Sequence, residues 1–186
     1  LAASSNLKGI PRAIYDRVLA DMYFDANGPG PGHGSTDWAI SQGFGDSTDY
    51  QAFFISICRA SHIPARFQVG YSLPLQKGSG FVSGLHSWAH FYRQGSGWFP
   101  LDLAAADLDP GRADYYFGHL STNRVTLSCG RDILLDPVQA GSPLSFFSHP
   151  YAEQGGLDVS LDLDIRFQDL PILTALPSKK ELGYWP

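Results

Sequence analysis

Cysteine is scarce in this chain: of 186 residues only Cys58 and Cys129 are cysteines. Neither stands in a CxxC arrangement, so a disulfide framework and a cysteine-ligated zinc site are both excluded as organising principles. Charge is sparse as well, at 17% of residues, and the formal net charge is -5 with no run of Lys or Arg. Nucleic acid and anionic membrane surfaces are therefore poor partners. No apolar run is long enough to span a bilayer, no internal repeat is present, and no signal-peptide pattern precedes the first helix. The chain begins at Leu1 rather than Met, so the compartment stays open between cytoplasm and export. What is present is ordinary globular composition, 44% hydrophobic and 13% aromatic, enough for one domain with a real core.

The stretch around which the rest is organised is Gly45-Asp46-Ser47-Thr48-Asp49-Tyr50, continuing to Ala60 and broken at His62-Ile63-Pro64. Tyr50, Phe53, Phe54, Ile57 and Cys58 recur at helical spacing, which predicts a buried helix over about 47–60. Asp46, Ser47, Thr48 and Asp49 all favour a helix start, and Gly43 and Gly45 free the backbone just upstream. A hydroxyl thus stands at the positive end of a core helix, where backbone amides favour a developing anion. Ser47 or Asp46 as a plain helix cap is the alternative.

Upstream, Ile10, Ile14, Val18 and Met22 predict a helix from about Pro11 to Phe24, behind a loose segment 1–9. The glycine-proline run 27–34 is a loop, and Trp38 and Ile40 fall in a segment that can be helical. After Pro64 the period changes to two. Phe67, Val69 and Tyr71 predict one strand, Leu85 to Tyr92 a second, and Trp98 to Leu103 a third, with a glycine turn at 78–80 and a hairpin turn at 94–97. Pro100 marks the third strand as an edge. A turn at 107–112, a short packed segment at Tyr115–Phe117, and strands at 123–128 and 133–138 follow. Leu157, Val159, Leu161, Leu163, Ile165 and Phe167 alternate with polar residues, which predicts a long half-exposed strand with an acidic outer face. Tyr184 and Trp185 are candidates to dock from an irregular tail. Helices first and an antiparallel sheet after make an α+β fold. A single domain covers 1–186, with its core at about 10–138 and a strand-and-tail extension at 139–186.

Three polar side chains stand where chemistry could use them: Ser47 at the helix head, His86 on the second strand and Asp102 on the third. If His86 and Asp102 share a face of the paired strands, the carboxylate fixes the imidazole's tautomer and orientation. A satisfied core histidine is the plain alternative. Other residues are set aside. Cys58 lies late on the buried stripe, where a neutral thiol is inert. Cys129 packs or lies in a turn. His90 reads as a partly exposed sheet residue, although it could line a cleft. His33 in the glycine loop and His149 stand too far from other candidate ligands in the sequence to be read as metal ligands. Gln42 reads as a surface residue rather than an oxyanion donor. Trp88 and Trp98 read as sheet core. Asp158, Asp162 and Asp164 read as a solvated strand face rather than a calcium site.

Gly45-Asp46-Ser47-Thr48-Asp49, with Cys58-Arg59-Ala60-Ser61-His62-Ile63-Pro64-Ala65-Arg66 and Gly70-Tyr71, resembles the core motif of the transglutaminase-like superfamily. His86-Ser87-Trp88-Ala89-His90-Phe91-Tyr92 and Gly97-Trp98-Phe99-Pro100-Leu101-Asp102 resemble its second and third motifs. Tyr116-Phe117-Gly118, Asn123-Arg124 and Gly130-Arg131-Asp132 resemble the continuation in bacterial members that are assigned as cysteine proteases. The resemblance implies a papain-like core and acyl transfer through a covalent acyl-enzyme. It places the nucleophile on Ser47, the histidine on His86 and the aspartate on Asp102. It implies a peptide or protein substrate, hydrolysed at a peptide or isopeptide bond rather than cross-linked, since nothing in the sequence supplies calcium sites. No cofactor or metal is implied. The departure is serine where the family has cysteine: a hydroxyl is too weak an acid for a resident thiolate–imidazolium pair. An engineered Cys→Ser change, a natural pseudoenzyme that binds without turnover, and a working serine variant are the three explanations, in that order.

Overall fold

Helix α3 spans Ser47–Ala60, the bounds expected from the sequence. The structure, a computed structural model, describes residues 9–30, 32–74, 78–82 and 84–170; Tyr184, Trp185 and nearly all of the 1–9 segment lie outside them. The head of α3 closes a capping box. Asp46 Oδ1 accepts from the amides of Thr48 (2.6 Å) and Asp49 (3.3 Å), and Asp49 Oδ2 accepts from the Asp46 amide (3.3 Å). Asp49 Oδ1 also accepts from the Ser35 amide at 2.8 Å, which ties the helix to the loop before it. Gly45 is required by space: a Cβ there would stand 2.5 Å from Asp49 Oδ2. Tyr50, Phe53, Phe54 and Cys58 are buried as the spacing demands, while Ile57 is only partly covered. Ser47, Thr48, Asp49, Gln51, Ala52 and Ile55 are buried too, so the first two turns are enclosed on every side, unlike a surface helix with one apolar stripe.

Four antiparallel strands make the central sheet: β3 (Ala65–Ser72), β5 (Leu85–Arg93), β6 (Gly97–Leu101) and β7 (Arg124–Cys129), in the order β6-β5-β3-β7. Pro100 thus lies on an edge strand, as expected. The register pairs Phe67 with Ala89 and Ala65 with Phe91 on the face that meets α3, where Phe54 packs on Phe91. Helix α1 (Ile10–Asp21) adds Ile14, Tyr15 and Val18 to this core. The other face carries Arg66, Gln68, Trp88, His90 and Tyr92. Among the described residues no helix is long and apolar enough to cross a membrane.

Several expected bounds move, some because distant partners compete with local pattern and some because a local helix signal outweighs it. Helix α1 stops at Asp21 rather than Phe24. Tyr23–Phe24 (β1) pairs in parallel with Phe44–Gly45 (β2), and the Phe24 amide donates to Asp107 Oδ2 at 2.8 Å. Helix α2 covers Thr36–Gln42 and ends on Gly43 in the left-handed region. The third strand stops at Leu101, and the turn expected at 107–112 is replaced by α4 (Leu103–Leu108) and a 3₁₀ turn at Pro110–Arg112. Leu103-Ala104-Ala105-Ala106 is a run of strong helix formers, and Asp102 caps it rather than ending the strand. Helix α5 (Ala113–Tyr116) follows.

The glycine turn at 78–80 is instead β4 (Ser79–Phe81), which pairs with β10 (Arg166–Gln168). The strand expected at 133–138 is reduced to one bridge, Ile133 to Leu144. The long strand expected at 157–167 is also corrected. Leu157–Asp158 (β9) forms a small hairpin with Glu153–Gln154 (β8), residues 159–165 lie outside strands, and Val159, Leu161 and Leu163 are exposed. Alternation specifies a strand only where one face is covered, and no described residue covers that one.

Trp88 is buried as expected, but Trp98 is 40% exposed, with the Arg66 guanidinium over its ring at 4.2 Å. His90 is half-buried beside this pair. Its Nδ1 is enclosed without a hydrogen-bond partner among the described residues, and burial, then the Arg66 charge, pull its pKa down to about 4. The unfolded chain therefore takes up this proton near the ordinary value while the folded chain resists it. Stability is full above about pH 6.5 and falls as pH drops toward 4, by roughly 1–3 kcal/mol. Urea melts of the parent and His90→Gln between pH 7.5 and 4 check this: the variant is expected to lose that part of the slope.

Candidate active site

The site lies where β6 leaves the sheet. Leu101 pairs with Ala89, and the chain then turns into α4, so β5 has no strand neighbour on that side at Ser87. The first turn of α3 takes its place. The Ser87 amide donates to Ser47 Oγ at 3.2 Å, and Gln51 Nε2 donates to the Ser87 carbonyl at 3.4 Å. Ser47 and Gln51 are four residues apart and so share one helix face. The hydroxyl is thereby docked against the backbone of the residue after His86. Among the described residues this amide is the hydroxyl's hydrogen-bond partner.

The same register brings the other two side chains together. With Leu101 opposite Ala89, Asp102 falls on the face of Trp88, and His86 lies two residues along that face. His86 Nε2 stands 2.7 Å from Asp102 Oδ2, as expected if both shared a face. When the neutral ring gives its Nε2 proton to this bond, Nδ1 is left as the proton acceptor. Asp102 is fully buried, and its Oδ1 accepts from the Ala105 amide at 2.9 Å as the cap of α4. Burial alone would push this carboxyl up. His86, Arg124 and the Ala105 amide together hold it below the usual carboxylate range.

Arg124, at the start of β7, stands 2.5 Å from Asp102 Oδ2 through Nη1, a close contact of charges rather than an aligned hydrogen bond. Its Nε donates to Ser121 Oγ at 3.1 Å and its guanidinium lies 5.2 Å from the Trp88 ring centre. A cavity of about 520 Å³ opens beside His86 and Arg124, walled by Leu73, Leu85, Ala105, Asp109 and Tyr116 among others. Arg124 and Ser87 fall within stretches that carry the resemblance, but neither they nor Gln51 has a role assigned from the sequence. A lone arginine at a strand start resembles any solvated charge, and its partner lies 22 positions away.

The structure keeps the remaining candidates apart from this cluster. Cys58 is buried on the α3 stripe and its thiol is pushed up to about 12 by burial, so it is no nucleophile at neutral pH. Cys129 is exposed and near Gln68 Nε2 (3.3 Å). Gln42 is exposed at the end of α2. His149 is exposed and paired with Ser148 Oγ (2.9 Å). Asp164 is engaged by Arg166.

Residues 2–103, more than half of the chain, match the Transglutaminase-like superfamily; that span holds Ser47, His86 and Asp102. An uncharacterized protein of Haemophilus influenzae is 30% identical over 175 residues, a match covering 77% of this chain and 47% of that one. The crystal structure of a Cytophaga hutchinsonii protein assigned as a cysteine protease superposes with a TM-score of 0.51 at 20% identity. That match covers 92% of this chain and 49% of the other, and it shows a shared fold. The periplasmic domain of TgpA from Pseudomonas aeruginosa gives a TM-score of 0.39 at 18% identity, over 59% of this chain and 40% of that one. This chain spans about half the length of the relatives it matches. It is an α+β protein with its central helix against an antiparallel sheet, and it belongs to the transglutaminase-like superfamily.

Proposed function

We propose that residue 47, His86 and Asp102 form an acyl-transfer site that opens peptide or isopeptide amide bonds of a protein substrate. The observation that carries this reading is the 2.7 Å His86–Asp102 contact, with the Ser47 hydroxyl seated on the next residue's amide. In the reaction the side chain at 47 attacks the carbonyl carbon and its proton passes to His86. The C–N bond then breaks as His86 protonates the leaving amine, and water resolves the acyl-enzyme. A cysteine would enter as a thiolate beside an imidazolium. A serine has to lose its proton during attack.

A second reading, a binding module without turnover, is favoured by one observation. Among the described residues Ser47 Oγ meets the Ser87 amide and not the imidazole, so the hydroxyl is placed as an acceptor rather than primed by a base.

The test is to incubate the Ser47 protein and Ser47→Cys with peptides carrying glutamine side chains and with isopeptide-linked peptides, and to read products by mass spectrometry. Acyl transfer predicts that Ser47→Cys releases amine and yields the free acid, and that His86→Ala in that background does not. The Ser47 protein is expected to retain peptide with little or no product. Adducts with an added amine in place of the acid would turn the reading from hydrolysis to cross-linking. Retention without product in both proteins would support the binding module.

A further inference from the structure

Asp102 Oδ2 meets two nitrogen partners at once, His86 Nε2 at 2.7 Å and Arg124 Nη1 at 2.5 Å. A buried carboxylate needs a compensating charge. If the imidazole were the sole one, the pair would hold His86 as imidazolium at rest, a form that cannot accept a proton from a nucleophile. The guanidinium supplies that charge permanently. Its surroundings hold it in place. The side chain is 8% exposed, Ser121 Oγ accepts from its Nε, and the Trp88 ring lies beneath it.

We propose that Arg124 is a positioning residue that neutralises Asp102, so that the carboxylate orients His86 without capturing it in the charged form. The assignment rests on the reading of His86 and Asp102 as the base and its orienter. Its consequence is chemical. A neutral imidazole is the form that a hydroxyl nucleophile requires as general base, so Arg124 suits a serine at position 47 better than it suits a resident thiolate–imidazolium pair. The described groups that face this cluster are few. Asp102 comes from the β6–α4 junction and Arg124 from β7, and Asp109 and Tyr116 wall the same cavity. Tyr15 of α1 lies within electrostatic reach of Asp102 and gives its hydroxyl proton to the Ala113 carbonyl (2.9 Å). Among these Arg124 is the permanent cation.

The measurement is an NMR titration of the His86 ring in the protein as it stands, with its signal identified by loss in His86→Ala. Removing the guanidinium removes both its repulsion of the imidazolium and its screening of Asp102, and both changes favour the proton on His86. Arg124→Gln is expected to raise the His86 midpoint by about one pH unit, and Arg124→Lys, which keeps the charge, to stay within a few tenths of the parent. Circular dichroism checks that each variant is folded. Should Arg124→Gln not fold, Ser121→Ala takes its place: it loosens the guanidinium without removing it and is expected to raise the midpoint by a few tenths. An unmoved midpoint in the folded neutral variant, or in Ser121→Ala where that stands in, overturns the assignment. So does a shift in Arg124→Lys as large as that in Arg124→Gln. The readout needs no turnover. If the midpoint moves as expected while Ser47→Cys shows no His86-dependent chemistry, the acyl-transfer reading falls and what stands is the coupling of Arg124 to His86 through Asp102.

Discussion

Ser47→Cys is expected to create a thiol that iodoacetamide alkylates at pH 5.5 about 20-fold faster than an ordinary exposed thiol. At that pH an ordinary thiol is ionised to about one part in a thousand. A thiol at the head of α3 that hands its proton to His86 leaves a thiolate held by the helix start and by the imidazolium so formed, which raises its ionised fraction far above that of the ordinary thiol. Part of the gain is offset, because a less basic thiolate is a weaker nucleophile. Adding His86→Ala is expected to return the rate to that of the ordinary thiol. The two native cysteines define the background. Cys129 is exposed and open to the reagent, so it is first changed to serine. Cys58, buried with its thiol pushed up to about 12, stays silent until the protein unfolds. If the thiol introduced by Ser47→Cys labels no faster than Cys129 does, or if its labelling ignores His86, the acyl-transfer reading sinks.

Gly70→Ala is expected to cost about 3 kcal/mol or more and to lower Tm by roughly 6–12 °C. The cause is space, not backbone conformation. A Cβ at Gly70 would lie 1.8 Å from the Val125 carbonyl oxygen, where the β3–β7 register shifts between Val69 and Gly70. Backbone cannot yield as a flexible side chain can, so β7 has to move off β3. Since Gly70 also pairs with His86 across β3–β5, the displaced strand is the one that delivers Arg124 to the site. The His86 midpoint is therefore expected to rise in this variant as in Arg124→Gln. Thr126→Ala, an exposed change on the same strand, serves as the comparison and is expected to stay within about 0.5 kcal/mol. If Gly70→Ala melts with the parent, β7 does not run where the structure places it.

How much of this is legible in the residues depends on whether a feature has a local cause. Helix α3 is, since capping residues, apolar spacing and the breaker at Pro64 all lie within one stretch. Strands β3 and β5 are, since alternation and hairpin chemistry agree. The convergence of His86 and Asp102 is legible as a condition, that both share a face, and the register between Ala89 and Leu101 meets it. Asp102 as a helix cap escapes a strand reading that follows the apolar pattern and overlooks the alanines behind it. The strand expected at 157–167 fails because alternation says nothing about whether a covering surface exists. The roles of Arg124, Gln51 and Ser87 stay hidden for a third reason: they arise only when elements far apart in sequence meet.

The docking of Ser47 on the Ser87 amide has a consequence for anyone who maps this site by mutation. The donor is main chain, so replacing residue 87 with alanine leaves it in place. An alanine scan would report position 87 as neutral even though its amide seats the Ser47 hydroxyl. Lengthening β6 by two residues would do what the scan cannot. A continued strand would claim the Ser87 edge for itself and displace the head of α3, silencing the site with every one of its side chains intact.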